Sequence, residues 1–349
     1  MSRRPPIYCH IGIAKTGTST LQQALTDHTA ELDAAGFAYP RVGFLGEKGT
    51  AQHFISFAIA RHKPKWVQRD IPSLEGFRDM LSQPEFENKR LIISSESFAS
   101  PNYAKHCHKL KELFPDRDIY IVAYLRRPGE HQRSWYGQII KNYPYEKMTF
   151  EHYAANSRFP FYTTLAGFIE EFGRERVIIL DYDRRKELGG VAAMFCDAIG
   201  LDRDLLKVSV DLNVSPSGWH IELCRRLNHI GEGEIATNVR RLFNAETFRI
   251  DPTQAVFQEA GNKYNYDIFQ SLDKIGVNHI SDINRKDLYN EIKKFCNEGH
   301  DTAEYKYSEI VDSINVRYAK ERKNWLNLEN RNISVGSFVD GGAGPGKKT

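Results

Sequence analysis

The chain has 349 residues, enough for one large domain or two of modest size, and 41% of them are hydrophobic and 27% charged. The formal net charge of +3, with no basic block interleaved with aromatic residues, argues against a nucleic-acid-binding protein. Any anionic ligand must therefore be held by locally placed cations. No apolar run is long enough to span a bilayer, and the apolar stretch before Lys15 is too short and too polar in its flank for a signal peptide.

The five cysteines show no paired spacing of the kind that indicates a disulfide framework. They are Cys9, Cys107, Cys196, Cys224 and Cys296. We therefore expect reduced thiols and a cytoplasmic protein.

Short apolar runs rich in Ile, Val and Tyr alternate with helical patterns up to Tyr182. Each run is long enough for a buried strand and too short for a typical helix. The predicted strands are Ile7–Ile11, Arg90–Ser95, Asp118–Leu125 and Arg176–Tyr182. Helical stretches at 102–114 and 129–142 lie between the later strands. This alternation predicts an α/β fold with a P-loop-like parallel sheet flanked by helices.

The pattern changes after Pro216, where helical segments follow one another without a strand between them. These segments are 218–230, 237–248 and 303–327. We predict an α/β core over residues 1–212 and a helical C-terminal portion over 213–330 that packs on this core. The Gly-rich composition of 331–349 predicts a flexible tail.

The loop after the first strand combines one lysine, one glycine and a run of hydroxyl side chains. These residues are Lys15, Thr16, Gly17, Thr18, Ser19 and Thr20. In a parallel α/β sheet, ligands bind beyond the carboxyl ends of the strands, and a helix N-terminus at that edge favours an anion. The pattern predicts a phosphate cradle, although Lys15 precedes Gly17 and so departs from the Walker A sequence. The alternative is a helix N-terminus that is simply capped by the hydroxyls.

A second loop follows the strand that ends at Leu125. Arg126 leaves the strand, Pro128 suits the start of a helix, and Ser134 follows eight residues after Arg126. An Arg and a Ser that converge on one tetrahedral anion would bind it through charge-assisted hydrogen bonds. Taken alone, an Arg-Arg-Pro sequence after a strand is also common in solvated turns.

Together, the two loops resemble those of the sulfotransferases that use 3′-phosphoadenosine 5′-phosphosulfate (PAPS). In that family a K-[ST]-G-[ST]-[ST] loop binds the 5′-phosphosulfate, and Lys15–Ser19 match it. A strand end with R-x-P and a Ser eight residues after the Arg binds the 3′-phosphate, and Arg126–Ser134 match that spacing. The resemblance covers residues 7 to about 135 and implies a PAPS-binding sheet and transfer of a sulfuryl group. The R-K-G loop that closes on the 3′-phosphate in the cytosolic vertebrate branch has no counterpart in this sequence.

The chemistry of sulfuryl transfer suggests roles for three side chains. Negative charge develops on the departing 5′-phosphate oxygen, where Lys15 can supply a cation. The acceptor hydroxyl needs a base near its proton. Glu96 ends a predicted strand at a position where the family often has a His, and His53 begins a predicted helix expected to flank the same cleft. We rank Glu96 first as the general base and His53 second, as base or acceptor-positioning group.

Several alternatives stay open at this point. Glu96 could be a helix-capping or Lys-pairing carboxylate, and His53 could be a structural imidazole; the chain would then be a non-enzymatic binding module. The predicted acceptor is a hydroxyl of a carbohydrate or glycolipid, and we predict no metal because the sequence has no obvious ligand set. The competing activity is that of a P-loop nucleotide kinase-like phosphotransferase, which would require a Walker A lysine and acidic magnesium ligands.

Overall fold

A computed structural model describes residues 4–143, 146–157, 159, 161–207, 218–229 and 300–327. Within this part of the chain, five strands form one parallel sheet. They are β1 (Arg4–His10), β2 (Phe37–Ala38), β3 (Arg90–Ser94), β4 (Arg117–Leu125) and β5 (Val177–Asp181). The predicted α/β class and all four predicted strands are confirmed. The two-residue strand β2 was missed.

Helices connect the strands and make up the described C-terminal segments. They are α1 (Thr18–Asp27), α2 (Thr29–Ala34), α3 (His53–Ala60), α4 (Leu74–Leu81), α5 (Pro101–Ala104), α6 (Lys109–Leu113), α7 (Pro128–Asn142), α8 (Phe150–Asn156), α9 (Phe161–Phe172), α10 (Val191–Ile199), α11 (Gly218–His229) and α12 (His300–Asn327). The helical C-terminal segments predicted at 218–230 and 303–327 correspond to α11 and α12. The predicted helix at 237–248 and the predicted tail at 331–349 lie outside the described residues.

The strand order β2-β3-β1-β4-β5 places β1 between β3 and β4. From β1 the chain continues to β2 at one edge of the sheet, whereas from β4 it continues to β5 at the other edge. The β1–β4 boundary is therefore the point at which the connections leave in opposite directions. In parallel sheets, the crevice beyond the carboxyl ends of two such strands is where ligands bind.

Both faces of the sheet are covered, which explains why its strands read as continuous apolar runs. Alternate residues of a strand point to opposite faces, and Ile7 and Tyr8 of β1 are both buried. On one face, the strands pack against α1 and α10, with Leu21, Leu25 and Phe195 in the shared core. Each large apolar side chain buried in this way contributes about 1.5–3 kcal/mol. This packing fixes the position at which α1 begins.

The described residues belong to two compact units. The first lies within Met1–Arg127, Phe159–Val214 and Ala319–Thr349, and the second within Pro128–Arg158 and Ser215–Tyr318. This division groups α7 and α8 with the C-terminal helices, whereas the sequence analysis placed them in the α/β core. The bounds of the predicted domains stay a prediction.

The second unit has its own apolar core. Tyr136 of α7 packs against Phe150 of α8 and Tyr307 of α12, with ring centroids 5.1 and 6.1 Å away. The amide of Asn228 is buried at the same core and donates to the carbonyl of Glu146 at 2.9 Å. A buried amide that donates to a loop carbonyl fixes the chain between α7 and α8.

One helix differs from its prediction. The stretch 102–114 forms the two short helices α5 and α6, joined by a turn at 105–108. There the N–H groups of His106 and Cys107 donate to carbonyls three residues earlier, at 2.9 and 3.0 Å. Such bonds wind the chain more tightly than an α-helix, and they end α5.

Two further findings concern the chain as a whole. None of the described helices is both long enough and apolar enough to cross a membrane. The four cysteines in the described residues are buried thiols that form no disulfide there, and Cys296 lies outside these residues.

Candidate active site

The loop between β1 and α1 contains residues with a left-handed backbone. Lys15 has a φ of 68° and Gly17 a φ of 76°. This conformation costs a residue other than glycine roughly 1–2 kcal/mol, and such strain concentrates at functional sites. The surrounding packing must therefore hold Lys15 in a conformation that its own backbone disfavours.

The hydroxyl groups of this loop do not cap α1. Thr16 Oγ1 donates to the carbonyl of Ile13 at 2.5 Å, and Thr18 Oγ1 donates to Oε2 of Glu96 at 3.1 Å. The N-cap residue is Gly17, and no side chain accepts a hydrogen bond there. The capping alternative is therefore wrong for this helix. The first-turn N–H groups keep the positive end of the helix dipole directed at the loop.

The loops after β1 and β4 are in contact. Arg126 Nη1 donates to the backbone carbonyl of Lys15 at 2.9 Å. This contact joins the carboxyl ends of two neighbouring strands at the point where their connections diverge. Within the first unit, the structure thus brings together the loop that carries Lys15 and the loop that begins with Arg126, both of which the sequence motifs single out.

The other predicted binding residues lie on two helices. In the first turn of α1, Ser19 is exposed and Thr20 is buried. Ser134 is buried on α7 and belongs to the second unit, whereas Arg126 belongs to the first. The pairing of Arg126 with Ser134 stays a prediction.

Sequence reasoning missed Tyr182 and Arg185, which follow β5. The Tyr182 ring centroid lies 5.4 Å from Cζ of Arg126 and 4.2 Å from Cζ of Arg185. A Cβ built on Gly17 would come within 3.4 Å of Cε2 of Tyr182, so this ring borders the loop after β1. Two positive charges therefore lie near the ring that borders this loop, and they favour a bound anion there.

Glu96 begins the turn after β3, beside the same loop. Its Oε2 accepts the hydrogen bond from Thr18, the first residue of α1. Gly12, with a φ of 42°, makes this approach possible, because a Cβ there would lie 3.2 Å from Cα of Glu96 and 2.8 Å from Cγ2 of Thr18. The structure thus places a carboxylate at the start of the helix that would face the anion.

His53 lies next to Glu96. Its Nδ1 is 2.8 Å from Oγ of Ser95 and 3.2 Å from Oγ of Ser97. Burial lowers the pKa of His53, and the nearby Glu96 carboxylate partly opposes that shift. The imidazole is therefore neutral near pH 7. If Nδ1 carries the proton and donates a hydrogen bond to Ser95, the lone pair of Nε2 can accept a proton from a substrate. This is the tautomer that a base would need.

A buried amide holds His53 and the end of β3 together. The backbone N–H of Gln52 donates to the backbone carbonyl of Ser94 at 2.9 Å. The backbone N–H of Ser94 donates in return to the side-chain Oε1 of Gln52 at 2.6 Å. Gln52 and Ser94 are both fully buried. Because Gln52 precedes His53 and Ser94 lies two residues before Glu96, this pair of bonds fixes the spacing of the two candidate bases.

No group of three or more His, Cys, Asp or Glu side chains in the described part of the chain is arranged to hold a metal ion. The predicted absence of a metal stays a prediction.

No protein-family model matches the sequence, and no curated protein matches it significantly. Among solved structures, the chain is similar to the crystal structure of a sulfotransferase from Alicyclobacillus acidocaldarius. The two are 17% identical with a TM-score of 0.39, over 69% of this chain and 96% of that chain. A likeness of this size carries no argument about activity.

Proposed function

We propose that this chain is a PAPS-dependent sulfotransferase that acts in the cytoplasm on a hydroxyl of a carbohydrate or glycolipid. The observation that carries the proposal is the hydrogen bond of 2.9 Å from Arg126 to the carbonyl of Lys15. It joins two motifs whose order and spacing resemble those of that family. The junction also lies where a parallel sheet binds ligands.

In this proposal, Lys15 and the first-turn N–H groups of α1 hold the 5′-phosphosulfate. Thr16 and Gly17 shape the loop, because the Thr16 hydroxyl is bonded within it and Gly17 adopts the left-handed conformation. Thr18, Ser19 and Thr20 contribute N–H groups at the positive end of the helix dipole. These residues together would offset the charge of the phosphosulfate.

Arg126 and Arg185 would read the 3′-phosphate. Both guanidinium groups lie near the ring of Tyr182, and in this proposal the dianionic phosphate accepts hydrogen bonds from both. Arg185 would supply a cation that members of the cytosolic vertebrate branch take from a C-terminal R-K-G loop. The predicted contribution of Ser134 is a separate question, because Ser134 belongs to the second unit.

The proposed reaction is one in-line displacement at sulfur. The acceptor oxygen forms a bond to sulfur as the bond from sulfur to the 5′-phosphate oxygen breaks, and 3′,5′-ADP leaves with the electron pair of that bond. Glu96 takes the acceptor proton, or His53 Nε2 takes it in the tautomer described above. Lys15 stabilises the charge on the departing oxygen, which is the step at which a fixed cation accelerates transfer.

The test follows release of 3′,5′-ADP from PAPS, with water and then simple sugars as acceptors. Lys15→Ala keeps Cβ and the left-handed backbone, so we expect it to fold and to lose roughly 10²–10³-fold in turnover, as for removal of one preorganised donor. Lys48→Ala, an exposed lysine of the same unit, is the matched control and should retain full activity. Full activity in folded Lys15→Ala would refute the proposed role of this lysine.

A further inference from the structure

The first unit carries a solvent-exposed indole that contacts His53, one of the two candidate bases, through Phe57, whose ring is edge-on to Trp66 and stacked on His53. The Trp66 side chain is 64% exposed. Its ring centroid lies 6.2 Å from that of Phe57, which in turn lies 6.1 Å from that of His53. Trp66 is therefore two ring-to-ring steps from the imidazole, on a path formed by the first unit alone.

Trp66 lies in a strongly basic segment, Arg61–Arg69. Four cations of this segment are exposed: Arg61, Lys63, Lys65 and Arg69. Lys63 forms an ion pair with Asp70 at 3.5 Å, whereas Arg61, Lys65 and Arg69 form none within the described residues. An excess of cations without carboxylates raises the local concentration of anions.

A second basic segment, Lys105–Lys109, lies beside the first. Lys109 Nζ donates to the carbonyl of Ile59 at 2.9 Å, and the rings of Tyr103 and His62 are 6.0 Å apart. These contacts place the turn between α5 and α6 against the C-terminal end of α3. We name the two segments together, Arg61–Arg69 and Lys105–Lys109, the Trp66 surface.

We propose that the Trp66 surface binds the acceptor and that this acceptor is an anionic oligosaccharide, one that carries carboxylate or sulfate groups. This inference rests on the proposed function, since it assigns a substrate to the acceptor side of that site. The apolar C–H face of a sugar ring loses contact with water when it stacks on an indole. Flanking cations would then bind its acidic groups, and the chain of rings leads from Trp66 towards His53.

The ring of Phe57 contacts both Trp66 and His53, with centroids 6.2 and 6.1 Å away. An acceptor that reaches both side chains would therefore contact the indole and the imidazole with different parts of its structure. The reacting sugar would lie near His53 and Glu96, and a following sugar would stack on Trp66. In this proposal the acceptor contains at least two sugar units.

Binding of three probes by calorimetry, in the absence of PAPS, tests this proposal. The probes are a hexamer of galacturonic acid, maltohexaose of the same length without charge, and a single-stranded DNA hexamer. We expect the wild type to bind the galacturonate hexamer, with an affinity that falls as NaCl is raised, and to bind the other two at least roughly tenfold more weakly. Equal or tighter binding of maltohexaose or of the DNA would overturn the proposal.

Matched variants locate the interaction. Trp66→Ala and Lys65→Glu should each weaken galacturonate binding by roughly tenfold. Tyr143→Ala, which removes a ring that is also 64% exposed, and Lys320→Glu should leave it unchanged. Wild-type affinity in both Trp66→Ala and Lys65→Glu would overturn the proposal.

A parallel titration with 3′,5′-ADP separates the two claims. If the wild type binds 3′,5′-ADP but not the galacturonate hexamer, the acceptor inference fails and the proposed function stands. If it binds no 3′,5′-ADP, the proposed function fails and the acceptor role of the Trp66 surface fails with it. Because Trp66 lies outside the donor loops, Trp66→Ala should bind 3′,5′-ADP as the wild type does.

Discussion

Substitution of Gly17 by alanine tests whether the loop after β1 is the donor cradle. Gly17 has a φ of 76°, and an added Cβ would lie 2.9 Å from Cγ1 of Val191 on α10. The left-handed backbone costs an alanine roughly 1–2 kcal/mol, and the crowding against Val191 adds roughly 1–3 kcal/mol. We therefore expect Gly17→Ala to lower the free energy of unfolding by about 2–5 kcal/mol and to displace the N-terminus of α1.

Gly36→Ala is the matched control for this substitution. Gly36 has nearly the same φ, 77°, but no atom lies within 4 Å of its added Cβ. It should lose only the roughly 1–2 kcal/mol of backbone strain. Urea unfolding measures both stabilities, and calorimetry with 3′,5′-ADP should show binding weakened by roughly tenfold or more in Gly17→Ala and unchanged in Gly36→Ala. Wild-type affinity in a folded Gly17→Ala protein would refute the reasoning.

Three further outcomes are expected. Glu96→Gln should lower turnover by roughly 10²–10⁴-fold and leave the affinity for 3′,5′-ADP unchanged. His53→Ala should chiefly raise the acceptor KM. If Glu96→Gln is active and His53→Ala is inactive, the roles of the two residues are reversed. Arg185→Ala should weaken binding of 3′,5′-ADP more than binding of 5′-AMP in calorimetry, since each charge-assisted hydrogen bond contributes roughly 1.5–3 kcal/mol. The control Arg184→Ala, at an exposed arginine, should bind both nucleotides as the wild type does. Burial lowers the pKa of His10 to about 3, so below pH 6.5 the unfolded chain binds a proton that the folded chain does not, and stability falls as the pH drops towards 3. This one group should make the protein about 2 kcal/mol less stable at pH 5 than at pH 8, and equal pH profiles of wild type and His10→Asn in urea unfolding would contradict it.

The strands could be predicted because parallel strands buried on both faces leave a strong apolar signal. Ile7 and Ile121 belong to such runs, and both are fully buried. Strand β2 leaves almost none, since Phe37 and Ala38 alone cannot show a period. The break between α5 and α6 depends on backbone hydrogen bonds in the turn, which a helical spacing of apolar residues does not reveal.

The two candidate donor loops were predictable for a different reason. Arg126 directly follows β4 and Lys15 lies in the loop after β1, and parallel strands bring their carboxyl ends to one edge of the sheet. Tyr182 ends a predicted strand and Arg185 follows it three residues later, which was the signal available to find them. What the sequence could not show was that the ring of Tyr182 contacts two guanidinium groups and lies beside Gly17, because that arrangement depends on three separate loops.

The most direct test of the proposed activity is a thermal-shift comparison of 3′,5′-ADP, 5′-AMP and Mg-ATP at equal concentrations. A ligand that binds only the native state stabilises it by RT ln(1 + [L]/Kd), so at equal concentrations the tighter ligand raises the melting temperature further. We expect the largest rise with 3′,5′-ADP, a smaller one with 5′-AMP, and no more with Mg-ATP than with 5′-AMP. A larger rise with Mg-ATP than with 3′,5′-ADP would contradict the sulfotransferase account and favour a kinase-like phosphotransferase.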